Sequence, residues 1–234
     1  GVGQNTLGYS NSEVDNAVKT AVSKGNMSTL NCPEEVYLAE KLIHLHPWAE
    51  KVRFARTGGE ANSIAIRLAR ASTKKKNIAF CGYHGWHDWY LSANLGNDAS
   101  LDSHLLPGLE PYGVPRNLKN TVFPFSYNNY EELEALIGTE DIGIIKMEVM
   151  RNQEPQNNFL HKVRKLATDR GIVLIFDECT SGFRETFGGL HKKYGVEPDM
   201  AMFGKALGNG YGITAVIGKR AVMEAAQSTF ISST

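Results

Sequence analysis

Charge of one sign is what this chain most plainly lacks: 25 Lys and Arg offset 25 Asp and Glu, leaving a formal net charge of zero. Such a balance gives no electrostatic reason to bind nucleic acid or an anionic membrane surface. The only basic run, Lys74-Lys75-Lys76, reads as a solvated turn between a helix and a strand. No apolar run is long enough to span a bilayer and no signal peptide opens the sequence, so a cytoplasmic location is expected. Cysteine is scarce. Cys32, Cys81 and Cys179 are odd in number and far apart, which fits reduced thiols and not a disulfide framework. The nucleotide-binding patterns G-x-G-x-x-G and G-x-x-x-x-G-K are missing, as are internal repeats and low-complexity tracts. The chain opens without Met and stops at Ile231-Ser-Ser-Thr234 in what reads as mid-course, so a piece of a longer polypeptide is expected.

What is present is organised around Gly171-Ile-Val-Leu-Ile-Phe-Asp-Glu178. Five apolar residues run unbroken into two carboxylates, the pattern of a strand buried on both faces of a parallel sheet. Ligands of open α/β sheets bind beyond the carboxyl ends of strands, where Asp177 and Glu178 fall. A carboxylate placed there needs a cation or a proton donor facing it. Similar short apolar runs at Lys51–Ala55, Ile78–Cys81, Thr121–Phe125, Ile142–Glu148, Asp199–Phe203 and Ile213–Ile217 alternate with helical periodicity at Ala61–Ala71, Tyr130–Ile137 and Phe159–Arg170. This alternation predicts an α/β fold with a mainly parallel sheet. Ser12-Glu-Val-Asp15 resembles a capping box opening an N-terminal helix, and a closing helix is expected over Arg220–Gln227. The Gly-, Pro- and Asn-rich stretch Ser92–Arg116 reads as a lid or binding loop.

Two further stretches bear on chemistry. Thr57-Gly58-Gly59 lies between a strand and a helix start, where free N–H groups and the helix dipole favour an anion; an ordinary strand-to-helix turn is the plain alternative. Phe203-Gly-Lys205-Ala-Leu-Gly-Asn-Gly210 places one lysine after a strand among glycines. A lysine is normally a solvated surface charge, but one drawn into a tight site can form a Schiff base. A strand-end acid, an anion turn and a sequestered lysine together meet the needs of pyridoxal phosphate (PLP): a partner for the ring nitrogen, a phosphate site and an amine for the aldehyde.

The segments Arg56-Thr-Gly-Gly-Glu-Ala61, Tyr83-His-Gly85, Phe176-Asp-Glu-Cys-Thr-Ser-Gly-Phe-Arg184 and Gly204-Lys205 resemble, in order, the motifs of class III aminotransferases. Within that class the chain is most similar to glutamate-1-semialdehyde aminomutase and its relatives, including the loop near Pro107 to Pro115. The resemblance implies the type I aminotransferase (PLP-transferase) fold, a small amino acid or amine as substrate, and a homodimer with sites at the subunit interface. It implies an N-terminal helical segment over 1–46 packing on a PLP-binding large domain over 47–234, with the family's C-terminal domain, a source of substrate contacts, lying outside this chain. By the same resemblance Lys205 is the Schiff-base lysine and Asp177 the partner of the ring nitrogen. Thr57, Gly58 and Gly59 form the phosphate turn, Tyr83 stacks on the ring with His84 adjacent, and Glu148 closes a neighbouring strand. Thr234 aligns with a threonine that reaches the partner subunit's cofactor phosphate. Four positions depart from the pattern: Gly59 replaces a hydroxyl residue, Cys179 a Val or Ile that packs on the ring, Val149 a Pro, and Gln153 an Asn or Glu near the phenolic oxygen.

Other readings remain at this point. His84, His87 and Asp88 have a spacing seen in metal sites and would serve a metal-dependent hydrolase, though H-x-x-H is common by chance and no metal is expected. A non-catalytic PLP-binding module is the other alternative. Glu178 reads as a hydrogen-bonding support, and Arg184 as a partner for Glu148, for a substrate carboxylate or for a surface acid.

Overall fold

The computed structural model describes residues 2–25, 30–104, 107–108 and 110–231. Among these, seven strands form one sheet: β1 (Lys51–Ala55), β2 (Asn77–Cys81), β3 (Val122–Pro124), β4 (Ile142–Glu148), β5 (Val173–Glu178), β6 (Met200–Phe203) and β7 (Thr214–Gly218). Their spatial order is β1-β7-β6-β5-β4-β2-β3. Pairing is parallel from β3 through β6, and β7 runs antiparallel between β6 and β1. Strands β2, β4, β5, β6 and β7 are buried along their whole length, which is why they read as continuous apolar runs and not as alternating ones.

The helices are α1 (Ser12–Lys24), α2 (Pro33–Leu45), α3 (Gly58–Thr73), α4 (Asp88–Leu91), α5 (Tyr130–Thr139), α6 (Phe159–Asp169), α7 (His191–Tyr194) and α8 (Arg220–Met223). One sheet face packs on α3, where Ala61, Ala65 and Leu68 meet Phe80, Ile144, Ile175 and Met202. The other packs on α5 and α6 through Leu133, Val163 and Leu166. Leu42 of α2 joins Ala49, Phe203, Ala215 and Ile217 in a third cluster. No residue of α1 is buried.

Register sets the site. Glu148 stands beside Asp177 and Asp177 beside Met202, so the carboxyl ends of β4, β5 and β6 form one level crest. Several sequence expectations shift. The cap of α1 is Asn11, whose Oδ1 accepts from Val14 N–H, because a side-chain acceptor one residue earlier displaces Ser12. Helix α3 starts three residues before Ala61 because Thr57 caps it. The closing helix is α-helical only to Met223, then tightens into a 3₁₀ turn over Glu224–Gln227. Within Ser92–Arg116, where 105, 106 and 109 lie outside the described residues, the stretch is not a free loop. Ser92–Leu95 forms a 3₁₀ turn, Leu101 is buried in the α3 cluster, and Asn94 Oδ1 accepts from Leu101 N–H at 3.0 Å.

Candidate active site

Strand β5 delivers Asp177 to the crest and strand alternation turns Glu178 to the opposite face. Asp177 is buried. Its Oδ2 accepts from His84 Nδ1 at 2.9 Å and lies 3.5 Å from Lys146 Nζ, and its Oδ1 accepts from Cys179 N–H at 3.1 Å. Burial alone would raise its pKa, but the Lys146 cation and the His84 hydrogen bond outweigh it and hold the carboxyl well below the usual range. Asp177 is therefore ionised at neutral pH. Burial pulls His84 down from 6.5 to about 4, so it is neutral at pH 7 and donates from Nδ1, with Nε2 3.2 Å from the Cys81 carbonyl. Glu148, next to Asp177, accepts from Tyr83 N–H at 3.0 Å and from Arg151 at 3.2 Å. Burial and the charge of Asp177 both raise its pKa.

The glycine turn lies on the other side of the crest. Thr57 caps α3 by accepting from Glu60 N–H at 3.2 Å, and Glu60 reaches back to Arg56 N–H at 2.9 Å. The N–H groups of Gly58 and Gly59 precede the first intrahelical bond, from Ala61 N–H to the Thr57 carbonyl, and so face outward at the positive end of the helix. A Cβ on Gly59 would lie 2.6 Å from His87 Nε2, so the imidazole fills the space a side chain would take there. Ser63 Oγ, on the second turn of α3, holds His87 Nδ1 at 2.6 Å.

Lys205 follows β6 at the start of a 3₁₀ turn, in the left-handed region with φ 45°. Its ammonium donates to Thr180 Oγ1 at 2.8 Å, in the loop that leaves Asp177. Cys179 ties the three motifs together: its sulfur lies 3.7 Å from where a Cβ on Gly58 would sit and 3.4 Å from that of Gly204. Burial and the Asp177 charge push this thiol well above its usual range, so it is a neutral packing group.

The Tyr83 ring lies under the Arg151 guanidinium, 5.4 Å from its centroid. Gln153 is exposed in the loop after β4, and Thr234 lies outside the described residues. Arg184 donates to the Gly3 carbonyl, while Arg151, three residues along the chain, is the arginine on Glu148; local reach decides the pairing that the sequence left open. Glu178 supports the α7 turn, accepting from Ser181 Oγ and His191 N–H and pairing with His191 Nδ1. His84 and His87 turn to different partners, Asp177 and Ser63, and among the described residues no cluster of His, Cys, Asp and Glu could hold a metal ion. The residue that motif reading passed over is Lys146. Its signal was present: one charge inside the apolar run Ile142-Gly-Ile-Ile-Lys-Met of a fully buried strand.

A family model described as aminotransferase class-III matches residues 1–234. The chain belongs to the class III aminotransferase family. It is 37% identical over 238 residues to a 3-aminobutyryl-CoA aminotransferase of Cloacimonas acidaminovorans, covering 97% of this chain and 53% of that protein. It is 38% identical over 231 residues to a glutamate-1-semialdehyde 2,1-aminomutase of Nitrosopumilus maritimus, with 96% and 53% covered. The chain thus spans about half the length of the curated relatives it matches. Among solved structures, the Sphingopyxis sp. MTA144 FumI protein in its PLP internal aldimine form superposes with a TM-score of 0.84 at 27% identity, over 99% of this chain and 54% of that one. An omega-transaminase from Sphaerobacter thermophilus gives 0.83 at 28%, over 94% and 52%. The mainly parallel sheet with flanking helices is the PLP-transferase fold that the class III motifs imply.

Proposed function

We propose that this protein transfers an amino group with PLP as cofactor, in the manner of glutamate-1-semialdehyde aminomutase and its relatives, on a small amine or amino acid. The observation that carries the reading is the placement of the Lys205 ammonium 2.8 Å from Thr180, in the loop leaving an ionised, buried Asp177. The residues present suit the cofactor. An amine faces the crest, Asp177 Oδ1 accepts from the Cys179 N–H, and the open end of α3 carries two glycines whose N–H groups are free to donate to a phosphate.

Bound PLP supplies an aldehyde for an amine and a ring that takes up the charge of a carbanion. Lys205 would hold the cofactor through its Nζ, and the same nitrogen would serve as general base and acid. Thr180 aims that nitrogen. Asp177 would accept from the ring N–H and favour its protonated form, with His84 fixing the carboxylate plane. Thr57, Gly58 and Gly59 would hold the phosphate, and Tyr83, Cys179, Glu148 and Gln153 would lie toward the ring. The same reading makes the protein a cytoplasmic homodimer, its 1–46 segment helical and its 47–234 portion the cofactor domain, with Thr234 serving the partner's phosphate.

The test is an absorbance spectrum of the purified protein with added PLP, before and after borohydride, with the modified peptide identified. A visible-edge band trapped on Lys205 is the expected result. No band at saturating PLP, or trapping on another lysine, would sink the assignment.

A further inference from the structure

Lys146 sits in the middle of β4 with 0% of its surface exposed, on the face packed by apolar side chains of α3. A lysine is almost never fully buried unless it is paired, because desolvating an ammonium costs several kcal/mol. Its nitrogen lies 3.1 Å from Met202 Sδ and 3.5 Å from Asp177 Oδ2. The charged and titratable groups facing it are Asp177 from β5, Glu148 further along its own strand, Cys179 from the loop after β5 and His84 from the loop after β2. Of these only Asp177 is a carboxylate in direct reach. Burial pulls the Lys146 ammonium down and Asp177 opposes it.

His84 shows the consequence. Both its ring nitrogens face acceptors, the Asp177 carboxylate and the Cys81 carbonyl. An imidazole so placed would take a second proton if nothing opposed it. Burial opposes it, and so does a cation on Lys146. A cation on Lys146 thus disfavours a second one on His84.

We propose that Lys146 is the standing counter-ion of Asp177: its buried ammonium keeps Asp177 ionised and His84 a neutral donor, and so positions the carboxylate to receive a cationic ring nitrogen. The last clause rests on the PLP reading; the first two do not. Lys146 is thus a positioning residue that acts through Asp177. It also sets the electrostatics of the ring site, because a cation behind the carboxylate weakens its pull on a second cation in front.

The test is NMR on protein labelled at lysine Cε and at histidine, with Lys146 assigned through its proximity to Met202, whose sulfur lies 3.1 Å from the lysine nitrogen. In the unmodified protein Lys146 is expected to show an ammonium shift at pH 7 and His84 to titrate near 4. In Lys146→Met the His84 midpoint should rise by about 1–2 units, as removal of a neighbouring like charge requires. A free-amine shift for Lys146 at pH 7 overturns the proposal without need of any variant, as does an unmoved His84 midpoint in folded Lys146→Met. With PLP added, the pH midpoint of the coloured band should also move upward in Lys146→Met. A wild-type protein that takes up no PLP overturns the functional reading and the ring clause with it, while the NMR result still decides the counter-ion.

Discussion

Lys205 contributes one hydrogen bond to the fold, to Thr180, and that is worth about 1 kcal/mol net. Lys205→Ala is therefore expected to fold with nearly unchanged stability yet to lose the borohydride-trapped band and all turnover; full activity would remove the lysine from the mechanism. Asp177 differs because it is embedded in a charge pair. Asp177→Asn keeps the shape but leaves Lys146 facing no charge in a dry pocket, and breaking a buried pair from one side costs about 3–5 kcal/mol. Urea denaturation should show that loss, and the Asp177→Asn/Lys146→Met double variant should recover much of it. Turnover should collapse in both. A single variant as stable as wild type would mean that Lys146 carries no charge.

Helix α3 is the element on which the anion end of the site depends. Its Thr57 cap satisfies Glu60 N–H, so Thr57→Ala is expected to lower stability by about 1 kcal/mol and to weaken PLP binding, read by spectral titration. Gly59 has the sharper constraint. Its missing side chain is replaced in space by His87, so Gly59→Ser must displace the imidazole from 2.6 Å. That single change should lower the thermal midpoint, and adding His87→Ala should restore it; additive losses would show that the two do not share the space. Helix α1 contrasts with α3, for Val14 and Val18 stay half-buried and Val22 is 60% exposed. Its helical spacing is real, but nothing in the described structure fully covers it.

Across the whole molecule, pH acts through buried groups: His84 and Glu148 at the crest, together with His46 and His104, which burial also holds below their ordinary value. His84 has a folded pKa near 4, below its ordinary 6.5, so the unfolded chain binds a proton that the folded chain refuses. Its contribution is fully present above 6.5 and is lost as pH falls toward 4, on the order of 3 kcal/mol in total. Glu148 works the other way: its raised pKa favours the folded state at low pH and loses that effect as pH rises through the folded value. Asp177 adds to acid lability only below its ordinary range. Thermal denaturation between pH 6.5 and 4 should therefore show a decline, and His84→Gln should flatten it; an equal slope in that variant would place the proton uptake elsewhere.

The sequence by itself determined the strands and the chemistry at their ends. Ile172-Val-Leu-Ile-Phe176 has to be a buried strand because its apolar run admits no solvent face, and that places Asp177 at a carboxyl end. The glycines at 58 and 59 mark a strand-to-helix turn, though the Thr57 cap that starts the helix earlier came only with the structure, and Lys205 among glycines marks another turn. These are local consequences of side-chain shape and backbone freedom, legible one residue after another. The tertiary structure alone decided who faces whom. That Arg151 and not Arg184 meets Glu148, that His87 fills the space over Gly59, and that Lys146 stands behind Asp177 all depend on strand register and on contacts between residues far apart in the chain. Periodicity marks a position as inward, but a charge there acquires meaning only when the neighbouring strand supplies its partner across a few ångströms of low dielectric.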